Sequence, residues 1–362
     1  MSNPFYIFPA VRGIQAGKEY YITMCPLKVI PKIFLFNEEE LRPEFRSQRI
    51  INKSRIPAIK AYIIKNIDSY IFSSLTASID ADVQFFPVSN NPEHYNIGSI
   101  KVPMSAKVVI NDGQHRRAAI EAALKERPEL GDETISIVLF IDLGLEKSQQ
   151  MFSDLNRYAI RPTKSLNVLY DHRDPLSILI KEAILKVKTF KGLVETEKST
   201  ISNRSTKIFT LSGIFSATGE LLKDLFDLSY EEQLKLTIAF WNTVSENIKE
   251  WQQVLNKELA PVELRSNFIH AHTITLIALA KAGHDLLRSN PIDWKDQLRK
   301  LSLINWHRDN TSIWEGRATV GGKISNSRSN LILITNYVKL ILGLELSEEE
   351  KTIESKYLVK VV

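Results

Sequence analysis

A change of rhythm near Pro175 constrains this chain more than any other feature. Before it, short runs of β-branched and aromatic residues alternate with helix-like stretches; after it, apolar residues three and four apart recur in segment after segment. The first half cannot be all-helical, and the second offers no strand pattern to pair with it. The expected class is α+β, with a mixed α/β domain over 1–175 and an all-α region over 176–362. At 362 residues and 44% hydrophobic, both halves can bury a core without covalent staples.

In the first half "EYYITMC", "KIFLF", "FSSLTASI", "NIGSIKV", "KVVIN" and "ISIVLFID" read as strands. The last is apolar throughout, as in a strand covered on both faces. "IPAIKAYIIKNIDSY" reads as a helix starting just after Arg55, with a proline in its first turn. In the second half "SYEEQLKLTIAFWNTVSENIKEWQQVL" reads as one long amphipathic helix opened by a capping box of Ser229 and Glu232. "VELRSNFIHAHTITLIALAKAGHDLL" reads as a second, more apolar helix ending near Gly283. "SNLILITNYVKLILGL" is a third, followed by a capping box at Ser347 and Glu350, and "TSIWEGRATVGGKISNSRSN" reads as a glycine- and serine-rich loop.

Spacing excludes several chemistries. A single cysteine, Cys25, allows neither an internal disulfide nor a persulfide relay nor a thiolate cluster, and it reads as a small buried hydrophobe. "GIQAGKE", from Gly13 to Glu19, is a residue short of a phosphate-binding P-loop and ends in Glu where Ser or Thr should bind magnesium. His270 and His272 are two apart, so a helix would point them in different directions, and no metal site is expected. No apolar stretch approaches the roughly 18 residues of a membrane span. The N-terminus lacks the basic-then-apolar profile of a secretory signal, so a cytoplasmic protein without membrane contact is expected. A net charge of +5 permits an anionic partner without requiring one.

"KVVINDGQHRRAAIEAAL", Lys107 to Leu124, places a strand-like run, a turn and an alanine-rich helix in a row. Asp112 and Gly113 then form the turn, with Asp112 where an N-cap acceptor belongs. Free first-turn amides, the positive helix end and the side chains of His115, Arg116 and Arg117 would converge on a volume suited to phosphate or carboxylate. A plainer arrangement fits the same residues: Asp112 a cap alone, Arg117 paired with Glu121 one turn on, and Arg116 in solvent. The residues by themselves leave both open.

"DGQHRRAAI" resembles the signature of the DGQHR-domain family, whose nucleotide-binding core is similar to the ParB and sulfiredoxin superfamily. "MFSDLNRYAIRPTKSLNVLYDHRDPLS" and "EELRPEFRSQRIINKSRIPAIKAYI" resemble further stretches of that family. The resemblance implies a ParB/sulfiredoxin-like N-terminal domain and a DNA-binding regulator that represses a bacterial DNA phosphorothioate-modification operon. It also implies a nucleotide site at Asp112, Gly113, Gln114, His115 and Arg116, closed by Asn156, Arg161 and Lys164. The implied ligand is ATP or another nucleoside triphosphate, with Mg2+. The alternative is a nucleoside triphosphatase acting in DNA phosphorothioate modification or defence, in which Asp112, His115 and Arg116 would be catalytic. Implied partners are double-stranded operator DNA, other DNA sulfur modification proteins and further copies of the chain.

Two basic segments are candidates for DNA contact. Arg46 and Arg49 lie in the first; Lys186, Lys188, Lys191, Arg204 and Lys207 lie in the second, where Ser, Thr and Asn add phosphate donors. A solvated face is the usual explanation for a run like the first, and the second is the first choice for DNA contact. Arg317, Lys323 and Arg328 on the glycine-rich loop are further candidates, and "SGIFSATGELL" fits a helix-turn-helix without fixing a recognition helix.

Overall fold

A computed structural model describes residues 4–34, 51–141, 145–157, 162–225 and 227–361, with the backbone alone at 145–148, 156, 360 and 361. The expected contacts Arg46, Arg49 and Arg161, and the side chain of Asn156, lie outside the described residues. Backbone contacts divide the chain into two compact units, Met1–Ile160 and Arg161–Val362.

The first unit is built on a seven-stranded sheet: β1 Phe5–Gln15, β2 Lys18–Pro26, β3 Leu75–Asp80, β4 Gln84–Pro87, β5 Ile97–Pro103, β6 Lys107–Asp112 and β7 Thr134–Ile141. The strand order is β4-β5-β1-β2-β7-β3-β6, and among these pairs β3 and β7 alone run parallel. Its helices are α1 Ile30–Ile33, α2 Ile56–Lys65, α3 Gln114–Glu126 and α4 Leu145–Arg157. Ile63 of α2 and Ala119, Ile120 and Ala123 of α3 are buried with Leu75, Ala77, Ile79, Ile110 and Ile137 of the sheet. Each large apolar side chain so enclosed contributes about 1.5–3 kcal/mol, which is what holds the β6–α3 joint against the sheet.

Several local expectations are corrected. The described part of "KIFLF" is not a strand: Lys32 and Ile33 lie in α1, and Ile30 and Phe34, four apart, are both buried, a helical spacing, while Leu35 and Phe36 lie outside the described residues. Pro31 in the first turn favours the same outcome. β1 carries no strand signal that survives Pro9, which sits mid-strand opposite Ser99 of β5. β7 is closed on one face, with Ile135, Ile137 and Leu139 buried and Ser136, Val138 and Phe140 half-buried. The would-be P-loop is a hairpin tip: Gln15 pairs with Lys18, and Ala16 and Gly17 both have positive φ, as a two-residue turn requires.

The second unit is helical, with α5 Lys164–Tyr170, α6 Pro175–Lys186, α7 Leu211–Leu221, α8 Tyr230–Asn247, α9 Lys249–Leu255, α10 Pro261–Asn267, α11 Thr273–Ser289, α12 Trp294–Leu298, α13 Thr311–Trp314, α14 Arg328–Leu342 and α15 Glu348–Val361. Two small sheets pair β8 Val194–Glu195 with β9 Phe209–Thr210, and β10 Thr319–Val320 with β11 Lys323–Ile324. The Ser229–Glu232 capping box forms, but the long helix it opens breaks at Ile248, which is extended and fully buried. Gln252 Nε2 donates to the Ser245 carbonyl that the break exposes. The second expected helix likewise breaks, at Phe268 to His272, into α10 and α11. Gly283 does not end α11. It lies mid-helix, where a Cβ would stand 2.2 Å from Phe240 Cε2.

The glycine-rich "loop" holds α13 and the β10–β11 hairpin, and Arg317 is buried there, bridged to Glu354 at 2.5 Å and stacked over Tyr357. It cannot contact DNA as placed. α7 packs one face inward, with Leu211, Ile214, Ala217 and Leu221 fully buried, and leaves Phe215, Ser216, Gly219 and Glu220 partly exposed.

Candidate functional site

At the β6–α3 joint the N-cap is Gly113, not Asp112, and no side chain caps the helix. Gly113 is required there for two reasons: its φ is +105°, and a Cβ would lie 2.4 Å from Leu75 Cδ2. Asp112 instead accepts a bond from Arg116 Nη2 at 2.5 Å. Arg116 Nη1 donates to the carbonyls of Ser73, at 2.6 Å, and Ser74, at 2.9 Å, and to the Ser73 hydroxyl. One guanidinium thus ties the helix start to the chain entering β3.

The neighbouring side chains are engaged as well. His115 Nε2 accepts from the Asn52 amide at 3.2 Å. Arg117 pairs with Glu121 at 3.0 Å and donates to the Phe34 carbonyl at 3.1 Å. Gln114 is half-buried beside them. Arg116 and Arg117 are therefore turned to protein groups as placed, and a triphosphate would have to draw them away. Lys164 belongs to the second unit, where it donates to Ser216 Oγ at 2.7 Å over the Phe215 ring. Thr163 is the N-cap of α5, accepting from the Leu166 amide at 3.1 Å.

The basic segment of the second unit divides into two kinds of cation. Lys186 pairs with Glu182 one turn back, and Lys188 lies 3.6 Å from Glu246. Among the described residues no carboxylate pairs with Lys191, Lys198, Arg204 or Lys207; the first three are exposed, and Lys207 Nζ donates to the Gly192 carbonyl at 2.7 Å. Beneath this stretch lies a residue that sequence reasoning missed. Arg265 of α10 donates from Nη1 to the carbonyls of Ser205, at 3.1 Å, and Lys207, and from Nη2 to those of Ser202, at 3.0 Å, and Asn203, at 3.2 Å. Its burial draws its pKa below the usual arginine value. No local signal marks it, since "VELRSNFIH" reads only as part of an apolar helix.

Other titratable groups are structural in their settings. The Cys25 thiol is fully buried, and burial pushes its pKa up to about 12, so it stays a thiol, as a small hydrophobe would. His270 is enclosed: Trp251 Nε1 donates to its Nδ1 at 2.9 Å, and its Nε2 faces Glu250 at 3.2 Å. A cavity of about 710 Å³ lies beside Asp285, Lys300, Lys339, Glu345 and Glu350. Charges of both signs line it, and Lys339 already bridges Asp285 and Glu350, so it offers no field for a polyanion. Among the described residues no group of acids, histidines and cysteine could hold a metal, and no helix is long and apolar enough to cross a membrane.

A family model described as DndB, DNA-sulfur modification-associated, matches residues 8–345. No curated protein and no solved structure matches the chain.

Proposed function

This chain belongs to the DndB family of DNA-sulfur modification-associated proteins, and from that premise we propose that it is a DNA-binding repressor of a bacterial DNA phosphorothioate-modification operon. The family ties the chain to DNA sulfur modification; sulfur chemistry on this chain's own cysteine is disfavoured by the buried, protonated state of Cys25. The observation that carries the DNA-binding reading is the run of cations, Lys191, Lys198, Arg204 and Lys207, that no carboxylate neutralises among the described residues. Such cations release counterions from a phosphate backbone, whereas Lys186 and Lys188 sit beside acids that offset part of their charge. Partner modification proteins and self-association belong to the same reading.

The test is a reporter gene behind the operon's own upstream region. Repression by the wild-type chain, relieved by alanine at Lys191, Arg204 and Lys207, is expected. Unchanged reporter output in the presence of the chain would contradict the reading.

A nucleotide at the joint remains a separate proposal, and no observation favours the triphosphatase reading. A phosphate there would meet the first-turn amides of α3, but Arg116 would have to leave Asp112, Ser73 and Ser74. Equilibrium binding of ATP, GTP and CTP, with and without DNA, decides it.

A further inference from the structure

Arg265 has no carboxylate partner among the described residues; its two terminal nitrogens are occupied by four main-chain carbonyls of one short surface segment. Carbonyls satisfy a guanidinium's donors without cancelling its charge. The segment they belong to, residues 202–207, carries Arg204 exposed, Lys207 tethered to the Gly192 carbonyl, and the side chains of Ser202, Asn203 and Thr206. Its turn is further fixed by the Ser205 amide donating to the Ser202 carbonyl at 3.0 Å and the Lys207 amide to Ser205 Oγ at 3.1 Å.

Of the acids near the segment and its clamp, Glu195 and Glu263 are turned to other work, while Glu197 is exposed and pairs with no cation among the described residues. Glu195 accepts from the amides of Glu197 and Lys198, and Glu263 accepts from the Ala260 amide at the start of α10. The segment is therefore a cationic loop held in one shape by a cation. An unclamped loop would lose its conformational freedom when it met a ligand, which weakens binding; a loop ordered during folding does not.

We propose that residues 202–207 form a preshaped cradle for the DNA sugar-phosphate backbone, with Arg204 and Lys207 as its phosphate contacts and Arg265 as the positioning residue that fixes it. The proposal rests on the DNA-binding reading above and names where that reading acts. Lysine at position 265 would keep the charge but cannot present a planar fork to four carbonyls. The loop contacts would then be misplaced with no cation lost.

The test is a double-mutant cycle in the full-length chain, read by fluorescence anisotropy of a labelled duplex across a salt series. Arg204→Ala and Arg265→Lys should each weaken binding about tenfold, and Arg204→Ala should lower the slope of log affinity against log salt by about 0.9. The double variant should bind no worse than the weaker single variant, because Arg265 acts through the loop. A general loss of stability would not produce that non-additivity. Independent losses that multiply, or Arg265→Lys binding as wild type, overturn the proposal. Should Arg265→Lys fail to fold, Arg204→Ala and Lys207→Ala, both loop side chains, carry the test alone, and unchanged slopes there overturn it. A wild-type chain that binds no duplex overturns the DNA-binding reading itself; a wild type that binds while the loop variants match it overturns only the cradle.

Discussion

Arg116 and Asp112 are joined guanidinium to carboxylate at 2.5 Å, and the same guanidinium also closes on the carbonyls of Ser73 and Ser74. The half-exposed Asp112 makes the ion pair itself worth little. The carbonyls matter more, since losing Arg116 leaves them without a donor. Arg116→Ala should therefore reduce stability by about 1–3 kcal/mol in urea unfolding. A loss under about 0.5 kcal/mol, the range of ordinary surface changes, would mean that Arg116 is available for a ligand after all.

Gly283→Ala sets two effects against each other. Alanine favours a helix interior by about 1 kcal/mol. The added Cβ, however, would stand 2.2 Å from Phe240 Cε2 in a fully buried site, and overpacking of that kind costs about 1–3 kcal/mol. Net destabilisation is expected in thermal melts, and a raised midpoint would show that Phe240 moves aside freely.

Stability should fall on mild acidification. Burial, with the nearby Arg308 charge second, holds the His272 pKa down at about 4, and burial also lowers that of His270. A depressed histidine binds fewer protons folded than unfolded, so its contribution is complete above the unfolded value of about 6.5 and is lost as pH falls toward the folded one. For His272 the loss is on the order of 2–3 kcal/mol by pH 4. Urea midpoints should drop between about pH 6.5 and 5, and His272→Asn should flatten that drop. Midpoints constant across this interval would remove the buried-histidine account.

Cys25 should resist thiol reagents in the native chain at neutral pH. Its side chain is fully buried and its pKa stands at about 12, and the thiolate is the reactive form. Stoichiometric labelling is expected only in denaturant; rapid native labelling would reopen a sulfur-handling role.

Periodicity carried the class of the chain but not its interruptions. β3, β5, β6 and β7 announce themselves by β-branched runs, and the capping boxes at Ser229 and Ser347 form as their spacing requires. The breaks at Ile248 and near Phe268 were invisible, because apolar spacing continues through them and tertiary burial decides where a helix stops. The joint was legible as strand, turn and helix. Its side-chain directions were not: Arg116 turns toward Ser73 and Ser74, more than forty residues back in sequence. Arg265 was hidden for the same reason, its partners lying some sixty residues away.

Recognition of duplex DNA through cations of the second unit is open to one decisive experiment. The most direct measurement is the equilibrium affinity for a duplex from the operon's upstream region and for a scrambled duplex, from about 50 to 200 mM salt. Tighter binding to the upstream duplex is expected, with a log affinity that falls linearly with log salt and a slope reduced by about 0.9 per phosphate contact removed when Lys191, Arg204 and Lys207 are changed to alanine. Affinity that is insensitive to salt, or equal in the wild type and the triple variant, would contradict it.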